Sequence, residues 1–166
     1  MQKEFTCSSL IDFDVLEVDF FLSSSIPEEM KNLSVVNTAM PINASLLSSV
    51  NPVLSYSLFR GESNVILLEE PASLNIETSV ADGNRCCSCE LKLSFTELAM
   101  AEAGVTDNDF PFDSYIIRYK LADGTYKVAM PWCNTLKPVT NYQVGTGHSV
   151  EQTYTYKTKV FFHEIV

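Results

Sequence analysis

Apolar and polar positions alternate with a period of two over most of this chain, which is the pattern of strands with one buried face. The clearest case is Tyr115 to Trp132, where two alternating runs flank Asp123-Gly124. That dipeptide suits a two-residue type I′ turn, in which both central residues need positive φ. The predicted register sets Ala122 opposite Thr125, Leu121 opposite Tyr126, Tyr119 opposite Val128, Ile117 opposite Met130 and Tyr115 opposite Trp132. One face of the ribbon is then apolar or aromatic. The other carries Arg118, Lys120 and Lys127, with Lys120 facing Lys127.

Residues 4 to 21 read as one strand whose phase slips. Ile11, Phe13 and Val15 alternate with Asp12 and Asp14; then Leu16, Val18 and Phe20 alternate with Glu17 and Asp19. A β-bulge absorbs such a slip by setting two residues opposite one. The strand then keeps an apolar face inward and a wholly acidic face outward. Residues 22 to 52, rich in Ser and Asn, read as a long loop, with a short helix possible from Pro27 to about Leu33.

Three strands follow. Val53–Phe59 and Val65–Glu70 flank Arg60-Gly61-Glu62-Ser63-Asn64 as a hairpin, and Leu74–Val80 comes after Pro71. Ala81 to Asn84 reads as a turn and Arg85–Leu93 as a further strand. Ser94-Phe95-Thr96-Glu97 matches a capping box and Gly104 a C′ glycine, which predicts a helix over residues 95–103. Trp132 to Gly147 is turn-rich, and Val150 to Ile165 is one long alternating run with an apolar tip. The elements add up to a mainly β fold, an antiparallel β-sandwich or barrel of about eight or nine strands with one short helix. Residues 1–166 form one domain in this reading, with an extended loop at 22–52 and a C-terminal arm or strand at 150–166.

At 166 residues and 46% hydrophobic content the chain can bury a core. Charged residues are only 19%, and the net charge is −10. Phosphate recognition needs clustered Lys and Arg, so sequence-specific nucleic-acid binding and anionic membranes are excluded as expected partners. No apolar run is long enough to span a membrane, and the start of the chain lacks a signal-peptide pattern, so the expected location is cytoplasm or virion.

Five cysteines, an odd number, point to reduced thiols. Cys86 and Cys89 have the spacing of half a zinc site, and Cys133, His148 and His163 are the available partners. In a strand, however, Cys86 and Cys89 fall on opposite faces, and buried thiols explain the cluster more simply. No metal or other cofactor is expected. Gly145-Thr146-Gly147 precedes a strand rather than a helix, which gives a phosphate no helix N-terminus. No nucleophile–base pattern marks a catalytic site, and no enzyme activity is expected.

Charge segregation is the pattern that bears on function. Arg118, Lys120, Lys127, Lys157 and Lys159 lie on outer parities of three strands, and Asp12, Asp14, Glu17 and Asp19 on the outer parity of another. The two sets either pair on neighbouring strands of one sheet or meet across subunits, where complementary charge sets orientation. With Phe161 in the apolar tip, these are the candidate interface residues. The expectation is a structural or interaction protein that self-assembles or docks in a larger complex. In outline, a modest β domain with one helix, a long loop and terminal arms resembles the tail, neck or head components of phage virions. The alternative is a carbohydrate-binding module using Tyr126, Trp132, Tyr142 or Tyr154 as surface aromatics. A cysteine- or metal-dependent enzyme stands behind both.

Overall fold

The computed structural model describes residues 11–22, 25, 50–81, 84–105, 115–129, 133–142, 149–158 and 163–164. The strands are β1 (Ile11–Leu22), β2 (Leu54–Ser57), β3 (Val65–Leu67), β4 (Ala72–Ala81), β5 (Asn84–Thr96), β6 (Tyr115–Leu121), β7 (Tyr126–Ala129), β8 (Cys133–Tyr142), β9 (Ser149–Thr158) and β10 (His163–Glu164). A short helix, α1 (Glu97–Glu102), follows β5. The fold is mainly β, as the alternation predicts. The strands form one curled sheet in the order β10-β7-β6-β1-β4-β5-β9-β8, with β2 added to β1 and β3 to β2.

β1 is the corner of this sheet. One of its edges pairs with β6. The other pairs with β4 over Ile11–Val15 and then with β2 over Glu17–Phe20. The change of partner falls at the phase slip, where the register against β6 shifts between Val15 and Glu17. Bulged strands of this kind pass from one layer of a sandwich to the other. Val15 on one side of the bulge and Val18 and Phe20 on the other all reach the same core.

Two half-sheets enclose that core. One holds β8, β9, β5, β4 and the start of β1; the other holds β10, β7, β6, the end of β1, β2 and β3. Rings meet across the gap: Phe20 lies 5.0 Å from Tyr154, and Tyr56 lies 5.9 Å from Phe95. A bridge between Leu68 and Phe95, and a 2.9 Å hydrogen bond from Glu69 N–H to the Ser94 carbonyl, join the end of β3 to β5. In a flat sheet β9 and β10 would lie six strand spacings apart, about 29 Å. The backbone from Thr158 to His163 spans at most about 18 Å, so the sheet has to curl.

The hairpin differs from its predicted register. Tyr126 pairs with Lys120, Lys127 with Tyr119, Val128 with Arg118 and Ala129 with Ile117. The loop is Ala122-Asp123-Gly124, closed by hydrogen bonds from Leu121 N–H to Thr125 O (2.8 Å) and from Gly124 N–H to Leu121 O (2.9 Å). Gly124 has φ +88, whereas Asp123 does not take positive φ. Asp123 Oδ1 accepts from Thr125 N–H (2.9 Å) and Oγ1 (2.6 Å), a local arrangement that favours a type I turn followed by a left-handed glycine. The one-residue change moves Lys127 to the Tyr119 side and brings Tyr126 and Val128 alongside Lys120 and Arg118.

Other elements also differ from expectation. β2 and β3 are parallel rather than a hairpin. Their link doubles back through Asn64, which has φ +62, and Ser55 N–H bonds the Asn64 carbonyl. β8 occupies much of the stretch read as turns; it contains Pro138 and lies at the end of the sheet order, where a strand tolerates proline. The long C-terminal run is divided: β9 pairs with β5 and β8, and β10 with β7. The helix starts at Glu97, because β5 continues to Thr96, which caps it by accepting from Ala99 N–H at 3.0 Å. Gly104, at φ +73, stands in the predicted C′ position. The possible helix after Pro27 and most of the 22–52 loop lie outside the described residues.

Candidate functional site

The outer face of the half-sheet built on β7, β6, β1, β2 and β3 collects charged and aromatic side chains in rows that run across the strands. One row is Val128–Arg118–Asp19–Ser55–Val65. The next is Tyr126–Lys120–Glu17–Ser57–Leu67. Beyond the first lies the pair Ile116–Phe21. The bulge produces this face, since it keeps Val18 and Phe20 in the core and sends Glu17, Asp19 and Phe21 outward.

The first row is sealed. Asp19, Ser55, Val65 and Val128 are buried. Arg118 places Nε at 2.9 Å and Nη2 at 2.8 Å from Asp19 Oδ2. Ser55 Oγ donates to Asp19 Oδ1 at 2.6 Å. The guanidinium also stacks between the rings of Phe21 (5.1 Å) and Tyr126 (5.5 Å). A buried carboxylate is tolerated when charge-assisted hydrogen bonds satisfy it, as here.

The second row is partly open to solvent: Leu67 is exposed, Glu17, Lys120 and Tyr126 are half-buried, and Ser57 is buried. Ser57 Oγ donates to Glu17 Oε1 at 2.9 Å, and Arg60 reaches both Glu17 (3.8 Å) and Glu62. The Lys120 ammonium lies 5.7 Å from the Tyr126 ring and 5.9 Å from the Phe59 ring. Phe59 is 62% exposed, and Leu67, in register with Ser57, is exposed on the same row. Cations among aromatics are a recurring feature of recognition surfaces.

The candidates from sequence are thus divided. Arg118, Lys120, Glu17 and Asp19 come together on one face of one chain, on neighbouring strands. Asp19 is buried, so the outer face of β1 is not a uniformly solvated acidic surface. Lys127 leaves the basic strip, because it sits opposite Tyr119. Lys157 lies on β9, separated from β6 in the sheet order by β1, β4 and β5. Asp12 and Asp14 pair with Asn75 and Ser73 on the other half-sheet. Lys159, Phe161 and His148 lie outside the described residues. Phe21, Phe59, Arg60, Ser55 and Ser57 belong to the face although the sequence pattern does not single them out. The alternation of Ser55 and Ser57 with Leu54 and Tyr56 is the signal that places the serines outward.

Cys86 and Cys89 take opposite parities of β5, and Cys133 pairs with Lys157 on β9. Among the described residues no group of three or more His, Cys, Asp or Glu side chains is placed to hold a metal ion. Cys89 is buried, and burial pushes its thiol up to about 12.

A second polar cluster lies inside the core. Tyr56 Oη donates to Gln152 Oε1 at 2.7 Å and meets Tyr154 Oη at 2.9 Å. Burial raises the Tyr56 phenol well above its ordinary value, and the neighbouring Tyr154 adds to this. Tyr154 is therefore a core residue and not a surface aromatic. Trp132 lies outside the described residues, as does the side chain of Tyr142.

Compared with known proteins, the chain matches no family model, no curated protein and no solved structure. Among the described residues no helix is long and apolar enough to cross a membrane.

Proposed function

We propose that this chain is a non-enzymatic structural or interaction protein that assembles with copies of itself or docks in a larger complex, of the kind found in the tail, neck or head of phage virions. The observation that carries this reading is the open row of the outer face. There Phe59 and Leu67 stand exposed beside Lys120, Tyr126 and Arg60, next to a sealed Arg118–Asp19–Ser55 row. Aromatic and cationic groups on and directly beside a hydrogen-bonded sheet are suited to protein contacts. The low charge fraction of the chain supports the same reading.

The test is the mass of the purified protein in solution across a concentration series, with electron microscopy for rings or tubes. Concentration-dependent association supports the proposal; a strict monomer at high concentration, with no partner recovered from its native source, overturns it. A carbohydrate-binding module is the second reading, favoured by the exposed Phe59 ring near Tyr126. Saturable binding to a glycan array, lost in Phe59→Ala, would select it.

A further inference from the structure

The exposed side of α1 complements the open row in charge and apolar character. Ala99 and Ala103 bury one side of the helix. The other side exposes Leu98, at 68%, together with Ala101 and Glu102. The helix is held firmly: Thr96 caps its start, and Asn64 N–H bonds the Ala103 carbonyl at 2.9 Å. Leu98 and Glu102, four residues apart, present an apolar and an anionic side chain on one side of the helix, with Cβ atoms about 5–6 Å apart. On the open row, the Phe59 ring and the Lys120 ammonium are 5.9 Å apart. Among the described residues Lys120 has no carboxylate within ion-pair distance, although the chain carries a net charge of −10.

We propose that α1 of a second copy of this chain docks on the open row, with Leu98 against the Phe59 ring and Glu102 on the Lys120 ammonium. The inference rests on the assembly reading and names its partner. Repeated from copy to copy in one direction, the contact closes into a ring or extends as a filament; made reciprocally by two copies, it closes a two-fold dimer. Leu98 covers the exposed aromatic, and the Glu102 carboxylate adds a counter-charge to Lys120, whose cross-strand neighbour Glu17 is engaged by Ser57 and Arg60. Like charges at the same place would work against the contact.

The experiment is sedimentation velocity on the full chain, comparing wild type with Leu98→Asp, Lys120→Glu, Glu102→Lys and the double variant Lys120→Glu/Glu102→Lys. Thermal melts confirm that each variant folds. The three single variants should weaken association at least about tenfold, because each sets a charge against an apolar or like-charged group. The double variant should recover most of it. An equimolar mixture of Lys120→Glu and Glu102→Lys should also recover it, since each chain supplies the face the other lacks. If wild type associates and folded single variants associate equally well, α1 docking is overturned while the assembly reading stands. If only Lys120→Glu weakens association, the open row binds something other than α1, and this proposal falls. A wild type that stays monomeric overturns α1 docking and the self-assembly arm of the assembly reading, and leaves only docking with a different protein.

Discussion

Arg118 directs Nε and Nη2 at a single oxygen of Asp19, Oδ2, while Ser55 takes the other. This interaction links three adjacent strands, β6, β1 and β2, immediately past the bulge. Removing one partner of a buried pair leaves an uncompensated charge and costs about 3–5 kcal/mol. Arg118 is partly exposed, so water offsets some of that here, and Asp19→Ala should cost about 2–3 kcal/mol. Arg118→Ala should cost a similar amount, and the double variant distinctly less than the sum. Urea unfolding of the four proteins closes the cycle; additive losses would show that the two side chains are not coupled.

The tyrosine cluster has a definite donor order. Tyr56 Oη touches both Gln152 Oε1 and Tyr154 Oη, and so stands between the other two. Since Tyr56 donates to Gln152, Tyr154 donates to Tyr56. Tyr56→Phe removes both contacts and should cost about 2 kcal/mol or more. A loss below about 0.5 kcal/mol in chemical denaturation would contradict the arrangement.

Burial of Cys89 predicts an alkaline weakness. Its folded value is raised from 9.0 to about 12. Its contribution is therefore intact below pH 9 and is lost as pH rises from 9 towards 12, because the unfolded chain releases the proton first. The slope cannot exceed about 1.4 kcal/mol per pH unit for one group. Tyr56 and Tyr119, both raised by burial, act in the same direction at higher pH. Cys89→Ala should flatten stability between pH 9 and 12 relative to wild type, apart from a constant cavity cost. Native-state alkylation mapped by mass spectrometry should also find Cys89 protected. Rapid labelling of Cys89 in the folded protein would refute its placement.

How far the sequence reveals this structure depends on whether a feature is local. The bulge is legible, since the step from Val15 to Leu16 breaks the alternation and only an extra residue keeps both halves in the core. The C′ glycine at 104 is legible for the same reason. The hairpin register is not, because Asp-Gly fits either a two-residue loop or a three-residue loop with a left-handed glycine. The Thr125 bonds to Asp123 favour the second. Strand direction is not local either: nothing in Val65–Leu67 tells that it runs parallel to β2. The charges of Asp19 and Arg118 are plain in the sequence. Their pairing within one chain depends on β1 lying beside β6, which only the topology supplies. Ser55 and Ser57 carry too weak a signal to mark a site until Asp19 and Glu17 are seen opposite them.

The hairpin loop supplies an acid-side counterpart to Cys89. The Thr125 hydroxyl and then its backbone N–H hold the Asp123 carboxyl below its ordinary value of 3.8, with Lys127 adding to the effect. These bonds favour the ionised form, so the loop's contribution is present above pH 3.8 and is lost as pH falls through the lower folded value. Asp123→Asn should remove that acid dependence. Carboxyl chemical shifts followed by NMR should show Asp123 titrating below an ordinary aspartate in wild type and moving upward in Thr125→Val. The same loop requires Gly124 at φ +88, where a methyl group added to the glycine would meet no neighbouring atom. Gly124→Ala should therefore cost about 1 kcal/mol through backbone strain alone, with no packing loss. Asp123→Gly should be tolerated if the loop were a two-residue type I′ turn, since glycine adopts positive φ freely. In the three-residue loop it should instead destabilise the hairpin, because it removes the carboxylate that Thr125 bonds and loosens the unfolded chain. Gly124→Ala loses stability in either register, so the thermal melt of Asp123→Gly discriminates: a loss supports pairing of Tyr126 with Lys120, and a stabilised Asp123→Gly would restore pairing of Tyr126 with Leu121.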